Sequence, residues 1–111
     1  MKDDRIFLLH ILECLRRVEE NAAFGREQFM RSHTLQDAVL RNLQTMAETT
    51  QRLSDETKAL QPQVPWPEIT AFRNVLVHDY LGIDIEIVWD ITQDEAPELK
   101  SAIEAILHSL S

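Results

Sequence analysis

The sequence predicts an all-α fold, an antiparallel bundle of four to five helices in a single domain over residues 1–111 that forms a homodimer. Three observations predict it. Apolar residues recur at spacings of three and four along long segments. Glycine occupies 2 and proline 4 of the 111 positions. Connections are short, which makes sequential helices antiparallel neighbours.

The first helix is expected after a cap at Asp3 or Asp4, with Leu8, Leu12, Leu15, Val18 and Ala22 on one stripe. Ile6, Phe7 and Ile11 widen its apolar surface, a pattern that suits packing against a second chain. Gly25 should break this helix, and Arg26–Met30 has room for one short turn of helix. Thr34 is then expected to cap a long helix with the stripe Leu35, Val39, Leu43, Met46, Leu53 and Leu60. That stripe would run about seven turns, with Thr50 and Thr57 as weak points. Residues 61–67 form the clear linker, since three prolines there forbid a continuous helix. Pro67 fits the first position of the following helix, where its missing N–H costs nothing. Ile69, Phe72 and Leu76 make the inward stripe of that helix, and Gly82 is expected to end it.

Residues 83–89 alternate as a strand would, yet a lone strand has no pairing partner in this chain. With Asp84 placed as a cap, the helix is preferred. A last helix is expected from near Pro97 through Leu99, Ala102, Ile103, Ile106 and Leu110. No internal repeat and no low-complexity segment interrupts the series.

The formal net charge is −8, which argues against indiscriminate nucleic-acid binding by the whole surface. The charge is uneven. Residues 1–60 hold 9 Lys/Arg against 10 Asp/Glu, and residues 61–111 hold 2 against 9. A phosphate-binding surface should therefore draw on first-half arginines together with Arg73. The lone cysteine, Cys14, rules out an internal disulfide and falls in an apolar helical pattern, as a buried thiol would. Apolar runs fall short of a membrane span and the first residues do not read as a signal peptide, so a cytoplasmic protein without membrane association is expected. None of the four histidines has a glutamate three residues before it, and zinc-type spacings and Gly-rich phosphate loops are missing. His10, His33 and His108 read as surface or helix-end residues. No metal and no cofactor is expected in this chain.

Polar chemistry interrupts the apolar pattern in Arg73-Asn74-Val75-Leu76-Val77-His78-Asp79-Tyr80. Arg73 and His78 are offset by five positions, roughly 140° around a helix. They point apart, whereas Asn74 and His78 share a face. Tyr80 would return to within about 20° of Arg73 if the helix lasted that far. One copy thus presents a polar edge, while two copies across a two-fold axis would gather two arginines and two histidines around one cleft. Such a set suffices for metal-free RNA cleavage. The ribose 2′-hydroxyl is the nucleophile, and an imidazole moves its proton or that of the leaving oxygen. A guanidinium stabilises the phosphate, and Asn74 orients the histidine or the phosphate. On chemistry alone a plainer reading is preferred. In it Arg73 pairs with Asp79 or Glu68, His78 caps a helix end and Tyr80 belongs to the core.

The Arg73-Asn74-x3-His78-Asp79-Tyr80 run resembles the signature of the HEPN superfamily. In its Arg-x4-His-x-Tyr form it is similar to the HepT toxins of the HepT/MntA (HEPN/MNT, type VII) toxin–antitoxin systems. The resemblance takes in Ala38-Val39-x-Arg41, Glu48, Val64-Pro65-Trp66, Gly82-Ile83-Asp84, Val88-Trp89 and Pro97-Glu98-Leu99-Lys100. Ala47 departs from it, standing where the family is expected to have glycine. The resemblance implies a helical homodimer with an endoribonuclease site in the inter-subunit cleft, built from Arg73 and His78 of both chains with Asn74 in support. Arg41 is a candidate further RNA contact. It also implies an MntA-like nucleotidyltransferase antitoxin as partner, which uses ATP and magnesium to place AMP groups on Tyr80. The RNA would be tRNA or mRNA, with tRNA preferred. The competing expectation is a non-catalytic helical adaptor that binds the nucleotidyltransferase and carries the motif only as its modification target.

Overall fold

In a computed structural model the described residues are 4–110, with the side chain of Tyr80 outside that description. Among them the chain forms α1 (Arg5–Ala22), α2 (Arg26–Arg31), α3 (His33–Thr50), α4 (Asp55–Lys58), α5 (Trp66–His78), α6 (Ile85–Gln93) and α7 (Glu95–Ser109), with a 3-10 turn at Tyr80–Gly82. Five of these helices are longer than two turns, and no described residue is in a strand. The expected all-α bundle is what forms.

The core is one cluster. Leu8, Ile11, Leu15 and Val18 of α1 meet Val39, Leu43 and Ala47 of α3, with Leu99, Ile103 and Ile106 of α7 behind them. α1 and α3 run in opposite directions, because Asp4 reaches Ser54 at one end while His10 reaches Thr49 six residues further along α1. α5 packs on α3. Phe29 of α2 lies fully buried against Trp89 of α6, ring centroids 5.3 Å apart. Ala47, where glycine is expected from the resemblance, is fully buried within this cluster. No described helix is long and apolar enough to cross a membrane.

Several helix ends differ from expectation, each for a local reason. Asp4 stands at the start of α1, but its side chain makes no cap there. Instead its carboxylate accepts from Ser54 N and the Thr57 hydroxyl, both at 2.8 Å. Asp3, the other candidate cap, lies outside the described residues. Ser32 rather than Thr34 caps α3, accepting from Leu35 N at 3.1 Å.

The expected seven-turn helix stops at Thr50. Thr49 and Thr50 turn their hydroxyls onto the carbonyls of Thr45 and Ala47, and Ser54 caps the separate short α4. Hydroxyl side chains that compete for helix backbone groups favour such breaks. Leu53 stays buried across the corner, while Leu60 is left exposed.

The proline linker ends on Trp66, whose indole N–H is shared between the carbonyls of Lys58 and Gln61, both at 3.2 Å. Trp66 therefore opens α5 and Pro67 follows it, still in the first turn. Asp84 caps α6 by accepting from Glu86 N, which settles residues 85–93 as helix.

Candidate active site

α5 carries Arg73, Asn74 and His78 and ends on His78, four residues before Gly82. Asp79 leaves the helical region at φ −134°, ψ 40°, and the chain turns through the 3-10 segment. α5 thus stops short of Tyr80, so the longer helix on which its alignment with Arg73 depended does not form. Gly82 lies against the Asp79 side chain in this turn. A Cβ there would meet the Asp79 carboxylate at 2.7 Å.

The expected ion pair of Arg73 with Asp79 or Glu68 does not form. Its partner is Glu48 of α3, one carboxylate oxygen of which accepts from Nε at 3.3 Å and from Nη2 at 3.0 Å. Nη1 donates to the Asn74 side-chain oxygen at 3.2 Å. Three of the five N–H donors of a guanidinium are thus engaged, leaving one on each terminal nitrogen. The side chain is half-buried at 30% exposure, enough to fix it and still leave it open to a ligand. Asn74 thus acts on the arginine in this structure.

His78 is exposed at the last position of α5. Because α5 is helical through both residues, it projects roughly 140° away from Arg73. One copy of the chain does not bring the two together. α5 and the 3-10 turn expose Val75, Val77 and Leu81, the last to 98%, and α6 exposes Ile87.

Arg73 opens onto a groove of about 570 Å³. α3 gives its floor with Thr45, Glu48 and Thr49, and α1 its far wall with Ile6, Phe7 and His10. Gln51 and Arg52 close one end. Arg52 lies over the Phe7 ring, 5.9 Å from its centroid. Sequence reasoning set His10 aside as isolated and gave Arg52 no role. Thirty-nine positions separate His10 from the Thr49 it bonds, so no local pattern could have joined them. Arg41, the other candidate RNA contact, is exposed on α3. Among the described residues no three His, Cys, Asp or Glu side chains converge as a metal site needs.

Residues 11–106 match the family described as Ribonuclease HepT-like. The chain belongs to the HepT-like family. The HEPN resemblance read from the motif is thereby confirmed over most of the chain. Similar proteins include "Probable ribonuclease HepT" of Thermococcus cleftensis, 31% identical over 104 residues covering 90% of this chain and 92% of that one. "Putative RNase TTE0752" of Caldanaerobacter subterraneus subsp. tengcongensis is 34% identical over 108 residues, 96% of either chain. "Gamma-glutamylcyclotransferase and putative RNase MJ0434" of Methanocaldococcus jannaschii is 34% identical over 110 residues, and this chain spans 50% of its length. No solved structure matches. Within this HepT-like chain, Glu48 is the residue that fixes Arg73.

Proposed function

We propose that this chain is a metal-independent endoribonuclease that acts as the toxin of a type VII (HEPN/MNT) toxin–antitoxin pair. The observation that carries the reading is the Arg73 guanidinium, fixed by Glu48 and Asn74 with two N–H donors unspent. The two remaining donors can each meet a phosphodiester oxygen, and charge-assisted bonds of this kind favour the extra charge of the transition state. Family membership supports the nuclease class.

Two copies of the chain supply the site. The separation of Arg73 and His78 on one helix and the exposed Val75, Val77 and Leu81 of α5 and the turn after it support a second copy packed here. Across the cleft, one histidine takes the proton of the ribose 2′-hydroxyl as its oxygen attacks phosphorus. The other gives a proton to the departing 5′-oxygen. The products are a 2′,3′-cyclic phosphate and a free 5′-hydroxyl, so no water or metal enters this step. tRNA is the preferred substrate, with mRNA as the other.

Control falls to Tyr80. An MntA-like nucleotidyltransferase, using ATP and magnesium, transfers AMP to the phenol beside the motif. The added negative charge repels RNA and the added bulk closes the cleft.

Expression of the chain alone should arrest bacterial growth, and Arg73→Ala or His78→Ala should abolish the arrest. Toxicity that survives both substitutions removes the nuclease mechanism. Co-expression with the nucleotidyltransferase should raise the intact mass by whole AMP units in the wild type and leave Tyr80→Phe unshifted. A non-catalytic adaptor is favoured by one observation, that Glu48 already neutralises Arg73. It predicts AMP transfer with no RNA cleavage by any form of the chain.

A further inference from the structure

Two grooves on this molecule carry opposite charge. The larger, about 610 Å³ between α5, α6 and α7, has Glu68, Glu95 and Glu98 in its lining and no basic residue. The groove beside Arg73 has the guanidinium groups of Arg52 and Arg73 against the single carboxylate of Glu48, with the His10 imidazole also in its lining. In a chain of net charge −8, that places an electropositive recess against the guanidinium assigned to the scissile phosphate.

The wall opposite Arg73 combines apolar and polar groups. Ile6 is 71% exposed beside the half-buried Phe7 ring. His10 is oriented by its neighbours. Thr49 Oγ1 donates its one proton to Thr45 O at 2.8 Å, so it can only accept from His10 Nδ1–H, 3.1 Å away. The ring is therefore held in place, with its Nε2 4.0 Å from Cys14 Sγ, instead of turning freely in solvent. A phosphate-bearing strand would meet the guanidinium groups of Arg52 and Arg73 and, on the α1 side, an apolar surface for a base, the pairing that single-strand binders use.

We propose that this groove binds single-stranded RNA next to the scissile bond. Arg52 and His10 hold the ribose-phosphate backbone there, and Ile6 and Phe7 provide the surface for a base. The proposal rests on the RNase reading above and extends it to residues outside the Arg/His motif.

The test separates binding from cleavage. A fluorescent single-stranded 2′-O-methyl RNA lacks the nucleophile, so its anisotropy reads binding alone. Arg52→Glu should weaken its binding ten-fold or more, and His10→Gln should weaken it at least three-fold. Loss of one phosphate contact should also lower the slope of log affinity against log salt by about 0.7. Arg31→Glu, an exposed arginine of α2 that pairs with Glu27, is the charge-matched control and should change affinity less than two-fold. RNA carrying 4-thiouridine should photo-cross-link to the tryptic peptide of residues 6–16.

Wild-type affinity in both groove variants overturns the proposal. So does a loss as large in Arg31→Glu, which would reduce the effect to net charge. Competition by a polyglutamate peptide as strong as by RNA overturns it too. Cleavage of ordinary RNA by the wild type is scored separately. If none occurs while the binding pattern holds, the nuclease reading fails and the groove assignment stands.

Discussion

Glu48 of α3 holds Arg73 of α5 through one carboxylate oxygen, 3.3 Å from Nε and 3.0 Å from Nη2. The contact is a hinge between scaffold and chemistry, since α3 packs in the core cluster and α5 carries the motif. Both side chains are partly exposed, at 30% and 40%, so solvent screening keeps the pair's worth to stability below about 1 kcal/mol. Its value lies in aiming the guanidinium.

Glu48→Gln should therefore leave the melting temperature within a few degrees of wild type while lowering kcat for RNA cleavage about ten-fold. KM should stay the same or fall, because removing a carboxylate makes the site more positive. Steady-state kinetics with a tRNA substrate, alongside thermal unfolding, read both. An unchanged kcat would mean that Arg73 needs no aiming.

Arg73→Lys should behave almost as badly as Arg73→Ala. The guanidinium serves Glu48, Asn74 and a phosphate at once with its fork of donors. An ammonium is a point charge with three donors and cannot reproduce that geometry. A loss of about a hundred-fold in kcat/KM is expected, in line with removing one transition-state donor. Retained activity in the lysine variant would show that charge alone is enough.

Asp4 makes a structural prediction. It is buried to 1% exposure and ties the start of α1 to the α3–α4 corner through Ser54 N and the Thr57 hydroxyl. Hydrogen bonds to a charged group contribute about 1.5–3 kcal/mol each, and removing the carboxylate takes this partner from the half-buried Ser54 N–H and the buried Thr57 hydroxyl. Asp4→Ala should cost about 3 kcal/mol in urea unfolding with an unchanged m-value. A cost below about 1 kcal/mol would mean that water replaces the carboxylate without strain.

What could be read from the sequence follows the range of the interactions. Periodicity found every long helix, and the Asp84 cap decided α6 against a strand, because both signals are local. The ends of α3 and α5 were misplaced because local competition shaped them. Threonine back-bonding and the Ser54 cap stop α3 at Thr50, and the Asp79–Gly82 turn stops α5 at His78. The motif singled out Arg73 and His78, and the helical offset read from the sequence is kept, since α5 is regular through both residues. The partner of Arg73 could not be read from spacing, since Glu48 lies 25 positions away on another helix and Asp79 and Glu68 were nearer in sequence. His10 and Arg52 reach the same groove from α1 and from the corner after α3, so only packing joins them to Arg73.

Cys14 gives a prediction with a definite pH window. Burial in the α1 core pushes its thiol above its ordinary value, with Arg17 nearby drawing it back and Glu13 adding to the rise. A raised folded-state pKa means that the fold prefers the neutral thiol. The associated stability is fully present below the unfolded thiol pKa, roughly 8.5, and is lost as pH rises through the higher folded value. Cys14→Ala removes that titration, so the gap in urea midpoint between wild type and variant should be constant up to about pH 8 and shrink above it. Lysine and tyrosine ionisation affects both proteins alike and cancels in the difference. Iodoacetamide should modify the folded thiol slowly at pH 8 and rapidly once urea exposes it. A gap that stays constant to pH 10, or fast alkylation of the folded protein, would show a thiol open to solvent instead of one packed in the core.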